Sequence, residues 1–192
     1  MNYSFVDLDN YFYETLLDNL IKSYRKTVKR KIKCFNNDIS LELTPITKED
    51  PLTGEPNEYK CEIEYYLKIV FDFCVGKMTL NASVEIALEK LLDIYWDNYF
   101  VGTDKVEWHW WKQKKRAGFF LYYAQTKIKL YEGKKVKALE LAVLSGFTNQ
   151  YICELLGDGL VKGKKIKGEW VIENEEACRF LSNKKKEYYP GI

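Results

Sequence analysis

The chain has 192 residues, enough for one domain or two small ones, and 46% are hydrophobic, which is ample for a core and excludes a disordered or low-complexity chain. A net charge of +2 selects no partner by itself, but its distribution is uneven: residues 1–104 hold 12 Lys+Arg against 18 Asp+Glu, and residues 105–192 hold 18 against 10. The front half is therefore mildly acidic and the back half basic.

Asp7 to Tyr24 places Leu8, Tyr11, Phe12, Leu16, Leu20 and Ile21 on one stripe, which predicts an amphipathic opening helix. Lys26 to Phe35 alternates Val28, Ile32 and Cys34 with Lys29, Lys31 and Lys33, the pattern of an exposed strand with one lysine-rich face. That face is either solvated or a second phosphate-contacting surface. Asn36-Asn37 is a turn, and Asp38 to Leu43 alternates again as a strand. Three prolines and Gly54 make Pro45 to Asn57 an exposed loop. Tyr59 to Phe73 alternates apolar side chains through Cys61, Ile63, Tyr65, Leu67, Ile69, Phe71 and Phe73, the mark of a third strand. Strands followed by helices predict an α+β front domain with a small antiparallel sheet over residues 1–104.

After a break at Gly76 to Met78, Thr79 or Asn81 can cap a long helix running to Phe100, and Gly102-Thr103-Asp104 is the expected domain boundary. Residues 105–135 form an aromatic and basic connecting region, mostly helical. Its run Trp108-His109-Trp110-Trp111, then Lys112, Lys114, Lys115 and Arg116, suits either stacking on single-stranded nucleic acid, a dimer face, or a helix with buried rings and solvated lysines.

From Val136 to Phe180 the spacing becomes more specific. Ala138, Leu141, Ala142 and Leu144 share a helix that Ser145-Gly146 stops, since Gly146 can adopt the left-handed backbone of a helix end. Thr148 can cap a second helix, Asn149 to Leu156, with Ile152, Leu155 and Leu156 inward. Gly157-Asp158-Gly159 stops it. Leu160 to Ile166, Lys167-Gly168 and Glu169 to Ile172 then form a hairpin around a glycine turn. Glu175 to Lys186 closes the unit as a helix with Ala177, Phe180 and Leu181 inward, leaving 187–192 as a tail.

The residues Leu141-Ala142, Ser145-Gly146-Phe147-Thr148, Tyr151-Ile152, Leu155-Leu156, Gly159-Leu160-Val161, Gly163-Lys164, Gly168-x-Trp170-x-Ile172 and Glu176-Ala177 to Phe180-Leu181 follow one another in an order that resembles the winged helix-turn-helix domain of MerR-like and excisionase-like DNA-binding proteins. The likeness spans residues 136–186. It implies an α+β chain with a C-terminal winged helix-turn-helix, acting on double-stranded DNA as a transcriptional regulator or excision accessory of a bacterial, phage or plasmid mobile element. The second helix would enter the major groove with Asn149 and Gln150 at base edges, Thr148 and Tyr151 would reach phosphates, and Lys162, Lys164, Lys165 and Lys167 would lie on the wing. A short reading helix covers few base pairs, so a homodimer is expected. Glu154 and Gly157 depart from the resemblance, standing where members often carry Arg. The alternative is a phage-encoded inhibitor of host defence, of the anti-CRISPR type, that binds a defence protein or nucleoprotein complex.

Little points to catalysis. His109 is the sole histidine, no Ser or Cys stands in a nucleophile motif, glycines never cluster into a phosphate-cradling loop, and no spacing suits a metal, so neither an enzyme nor a cofactor is expected. Cys34, Cys61, Cys74, Cys153 and Cys178 are odd in number and widely spaced, as reduced thiols of a cytoplasmic protein are. Met1 to Asp7 lacks a signal-peptide profile and no apolar run reaches the ~18–20 residues of a membrane span, so no membrane partner is expected.

Overall fold

The structure is a computed structural model that describes residues 10–33, 43–96 and 117–188. These residues form a mixed α+β chain of seven helices and two small antiparallel sheets. Two compact units divide between Tyr122 and Tyr123. The boundary expected at Gly102-Thr103-Asp104, and the Trp108 to Arg116 run with His109, lie outside the described residues.

In the first unit, α1 spans Asn10–Lys33, β1 Ile46–Glu49, β2 Pro56–Tyr59, α2 Glu62–Cys74 and α3 Ala82–Trp96. The core is a layer of three helices, with α1 and α3 both packed on α2. Leu16, Leu17 and Leu20 of α1, Leu67, Val70 and Phe73 of α2, and Val84, Leu88 and Leu91 of α3 are all buried. The Tyr13 ring stands edge-on to Phe71 at 5.1 Å between centroids. Asn81 is the residue that caps α3, its side-chain oxygen accepting from the Val84 amide at 3.1 Å.

Three expectations fail here. Lys26 to Lys33 is the last third of α1 and no strand: lysine, arginine and isoleucine tolerate a helix, and neither glycine nor proline interrupts the run from Tyr24 to Lys33. Glu62–Cys74 is helix, not a third strand. Every residue from Ile69 to Cys74 is buried, so apolar side chains occupy nearly the whole helix circumference and alternation arises without strand pairing. Pro45 to Asn57 is not a loop throughout, because Ile46–Glu49 and Pro56–Tyr59 pair antiparallel, Ile46 opposite Tyr59 and Glu49 opposite Pro56. Its turn residues make the hairpin tip, where the Asp50 carboxylate accepts from the amides of Leu52 (2.9 Å) and Thr53 (3.1 Å). The small sheet of the front half is therefore this hairpin. The strand expected over Asp38 to Leu43 lies almost wholly outside the described residues.

The fourth helix, α4, spans Ala117–Tyr131 and gives its first turns to the first unit. Gly118 lets it lie close to α3, since a Cβ there would meet the Tyr95 hydroxyl at 2.5 Å and its ring carbons at 3.0 and 3.2 Å. The second unit continues with β3 Val136–Lys137, α5 Ala138–Ser145, α6 Asn149–Gly157, β4 Lys164–Ile166, β5 Glu169–Ile172 and α7 Asn174–Tyr188. Its sheet order is β3-β5-β4, all antiparallel, with Val136 opposite Ile172 and Lys165 opposite Trp170. Leu141, Ile152, Val136, Ile172 and Ala177 are fully buried, so one interior joins α5, α6, the inner sheet face and α7. Among the described residues no helix is long and apolar enough to cross a membrane, and no group of His, Cys, Asp and Glu could hold a metal. Cys61, Cys74, Cys153 and Cys178 are free thiols.

Candidate nucleic-acid interface

Helix α5 is buried on most of its surface, and its placement fixes that of α6. Its start is held by Glu140. That buried carboxylate accepts from the Lys137 amide at 2.7 Å and from the Lys129 ammonium at 2.9 and 2.8 Å, which joins the last turns of α4 to the first turn of α5. At the other end Gly146 takes a left-handed backbone, φ 71°, and the chain reverses into Thr148. The Thr148 hydroxyl accepts from the Tyr151 amide at 3.1 Å and so satisfies one of the free donors that begin α6.

Helix α6 buries Ile152 and Leu156. At about 100° per residue the opposite stripe is Gln150, Glu154 and Gly157, and all three are exposed. The Gln150 amide nitrogen donates to a Glu154 carboxylate oxygen at 3.0 Å. Thr148, Asn149 and Tyr151 are exposed as well. Asn149 is turned a quarter-circle from Gln150, its side-chain oxygen 3.9 Å from the Cys153 sulfur. Tyr151 is backed by a stack of rings, with Phe147 at 4.8 Å and Phe180 6.2 Å beyond Phe147. Aromatic side chains thus stiffen the first turn from behind.

The β4–β5 hairpin closes through Lys167-Gly168. Ile166 pairs with Glu169, so the turn has only two residues, both at positive φ: 50° for Lys167 and 87° for Gly168. This is the mirror-image turn that matches strand twist, and its first position ordinarily takes Asn, Asp or Gly. Lys167 is the one residue other than glycine, among the described residues, with positive φ.

Lys162, Lys164, Lys165 and Lys167 are all exposed and form no ion pair with a described residue. Lys165 stands over its cross-strand partner, 5.6 Å from the Trp170 ring. Lys164 occupies the other sheet face, in the cross-strand row of Val171 and Lys137, and Lys137 pairs with Glu169 at 2.9 Å. Gly163 keeps the approach to β4 tight, as a Cβ there would meet Leu156 Cδ2 at 2.6 Å. Just before it, the Lys162 amide donates to Glu176 of α7 at 2.9 Å. The Arg179 guanidinium beside Glu176, aided by that amide, holds the Glu176 carboxyl down to about 2 against the opposing effect of burial.

All eight residues expected at a nucleic-acid surface are therefore exposed in the same unit, Asn149, Gln150 and Tyr151 on α6 with Thr148 as its cap, and Lys164, Lys165 and Lys167 on the hairpin with Lys162 just ahead of it. Glu140, which holds the start of α5, does not stand out by spacing, and Glu176, which anchors the chain entering the hairpin, stands out only as part of the closing-helix pattern. The Glu140 signal was there to be found, an acid three residues after the extended Lys137 at a helix start. Compared with protein-family models, curated proteins and solved structures, the chain matches none.

Proposed function

We propose that the C-terminal unit is a winged helix-turn-helix and that the protein binds double-stranded DNA through it, as a regulator or excision accessory would. The observation that carries this reading is the set of exposed ammonium groups of Lys164, Lys165 and Lys167 on the β4–β5 hairpin, with Lys162 just ahead of it, in a sheet whose central strand β5 also pairs with the strand leading into the helix pair. Supporting it are the order helix, strand, helix, turn, helix, hairpin, helix, and the capped, solvent-facing start of α6. On this reading the lysines neutralise phosphates, a sequence-independent and salt-sensitive contribution, while the outer stripe of α6 meets base edges. No step here asks for catalysis or a cofactor.

Fluorescence anisotropy with a labelled random duplex across a salt series tests it. Each phosphate contact contributes about 0.9 to the slope of log K against log salt, so Lys164→Glu with Lys165→Glu should lower the slope magnitude by about 2 and weaken binding to every duplex alike. Wild-type protein with no salt-dependent duplex binding, or a charge-reversed pair that binds as the parent does, would overturn the reading.

A further inference from the structure

The sequence pattern makes Glu154 a liability near phosphate, yet its position makes it the centre of the outward stripe of α6. Gln150, one turn earlier, donates one amide hydrogen to it at 3.0 Å, and Gly157, one turn later, has open space where a side chain would stand. Among the described residues no lysine or arginine pairs with Glu154, so its second oxygen keeps its acceptor capacity toward a ligand. We infer that Glu154 is a specificity-determining residue that reads the amino edge of cytosine in the major groove and holds Gln150 in register for the neighbouring base. The inference rests on the reading of α6 as the groove-facing helix.

The chemistry follows from the donor and acceptor pattern of base edges. Cytosine offers an N4 amino donor there, which a carboxylate can accept. Guanine presents N7 and O6 and thymine presents O4, so a carboxylate facing either sets acceptor against acceptor. Adenine offers a donor but flanks it with N7. Gln150 retains its carbonyl oxygen and one amide hydrogen after bonding Glu154, and these two groups match adenine N6 and N7. Residues four apart on a helix are about 6 Å apart along its axis, which spans neighbouring base pairs. Gly157 then allows the backbone past Glu154 to come close to the duplex. A carboxylate in this place also rejects docking in which α6 slides onto a phosphate ridge, so it sharpens register while adding nothing to gross affinity.

Selection from a duplex pool with a randomised centre tests this, run in parallel on wild type, Glu154→Gln and Glu154→Ala, with anisotropy on an unselected random duplex as the second measurement. Wild type should enrich a cytosine beside an adenine. Both variants should lose the cytosine preference by about 5- to 150-fold, the range of one good base contact, while binding the unselected duplex as well as or better than wild type. Enriched sequences that are the same for all three proteins would overturn the inference and leave the proposed function standing. Variants that lose unselected binding as well would show Glu154 to be structural, and would overturn it too. Absence of salt-dependent duplex binding by wild type is a different outcome that removes the parent reading first.

Discussion

Lys167→Asn moves stability and binding in opposite directions. Lys167 sits at φ 50° in the first position of a two-residue turn, with Gly168 at φ 87° in the second. Left-handed backbone costs an L-residue roughly 1–2 kcal/mol, and Asn, several-fold enriched in that region, recovers roughly half to one kcal/mol of it. For a chain of this size each kcal/mol corresponds to about 2–4 °C in the melting temperature. The variant should therefore melt higher, by about 1–4 °C in a thermal scan followed by circular dichroism. The same change removes one ammonium from the hairpin tip, so the salt slope on random duplex should fall by about 0.9 and affinity should drop at low salt. Lys167→Gln, which removes the charge but not the strain, should lower the slope without raising the melting temperature. A lower melting temperature for Lys167→Asn would refute the strain argument. An unchanged slope in both variants would refute the phosphate contact.

Two further predictions concern what holds the candidate surface in place. Glu140→Ala should destabilise the second unit by about 2–4 kcal/mol in urea unfolding, because a buried carboxylate with three charge-assisted or backbone bonds is lost and Lys129 is left without its partner; in a cycle with Lys129→Met the coupling should exceed about 1 kcal/mol, and additive effects would contradict a direct link. Glu176 has a folded-state carboxyl held at about 2 against an ordinary 4.5, so its stabilisation is complete above pH 4.5 and is lost as pH falls toward 2. The melting-temperature gap between wild type and Glu176→Gln should accordingly be constant near neutrality and close between pH 4.5 and 2; a gap that persists at pH 2 would mean the carboxylate charge is not what matters.

The C-terminal elements were legible because their signals are local. Gly146 at a helix stop, Thr148 at a cap and Lys167-Gly168 in a two-residue turn act through their own backbone geometry, and each stands where spacing placed it. The front half obeys tertiary packing instead. Alternating apolar residues in Glu62–Cys74 came from a helix packed on nearly all sides, and the lysine alternation of Lys26 to Lys33 simply continues α1. The residues from Pro45 to Asn57 read as an exposed loop because only their turn residues carry a signal, and the four-residue strands around them have too little pattern to announce a hairpin. Strand β3, only two residues long, gives no sequence signal at all. Of the candidate surface, the exposed lysines and the cap were readable, while the Gln150 to Glu154 bond is visible only once the outer stripe of α6 is known.

That unassuming pair of residues, Val136 and Lys137, has a mechanical consequence. By joining the edge of β5 it ties the hairpin to the chain immediately ahead of the helix pair, so hairpin and helices behave as the two jaws of one rigid caliper instead of a body with a loose flap. A caliper with a set gap measures its object. On the proposed reading, a duplex it grips must offer two footholds at that one separation.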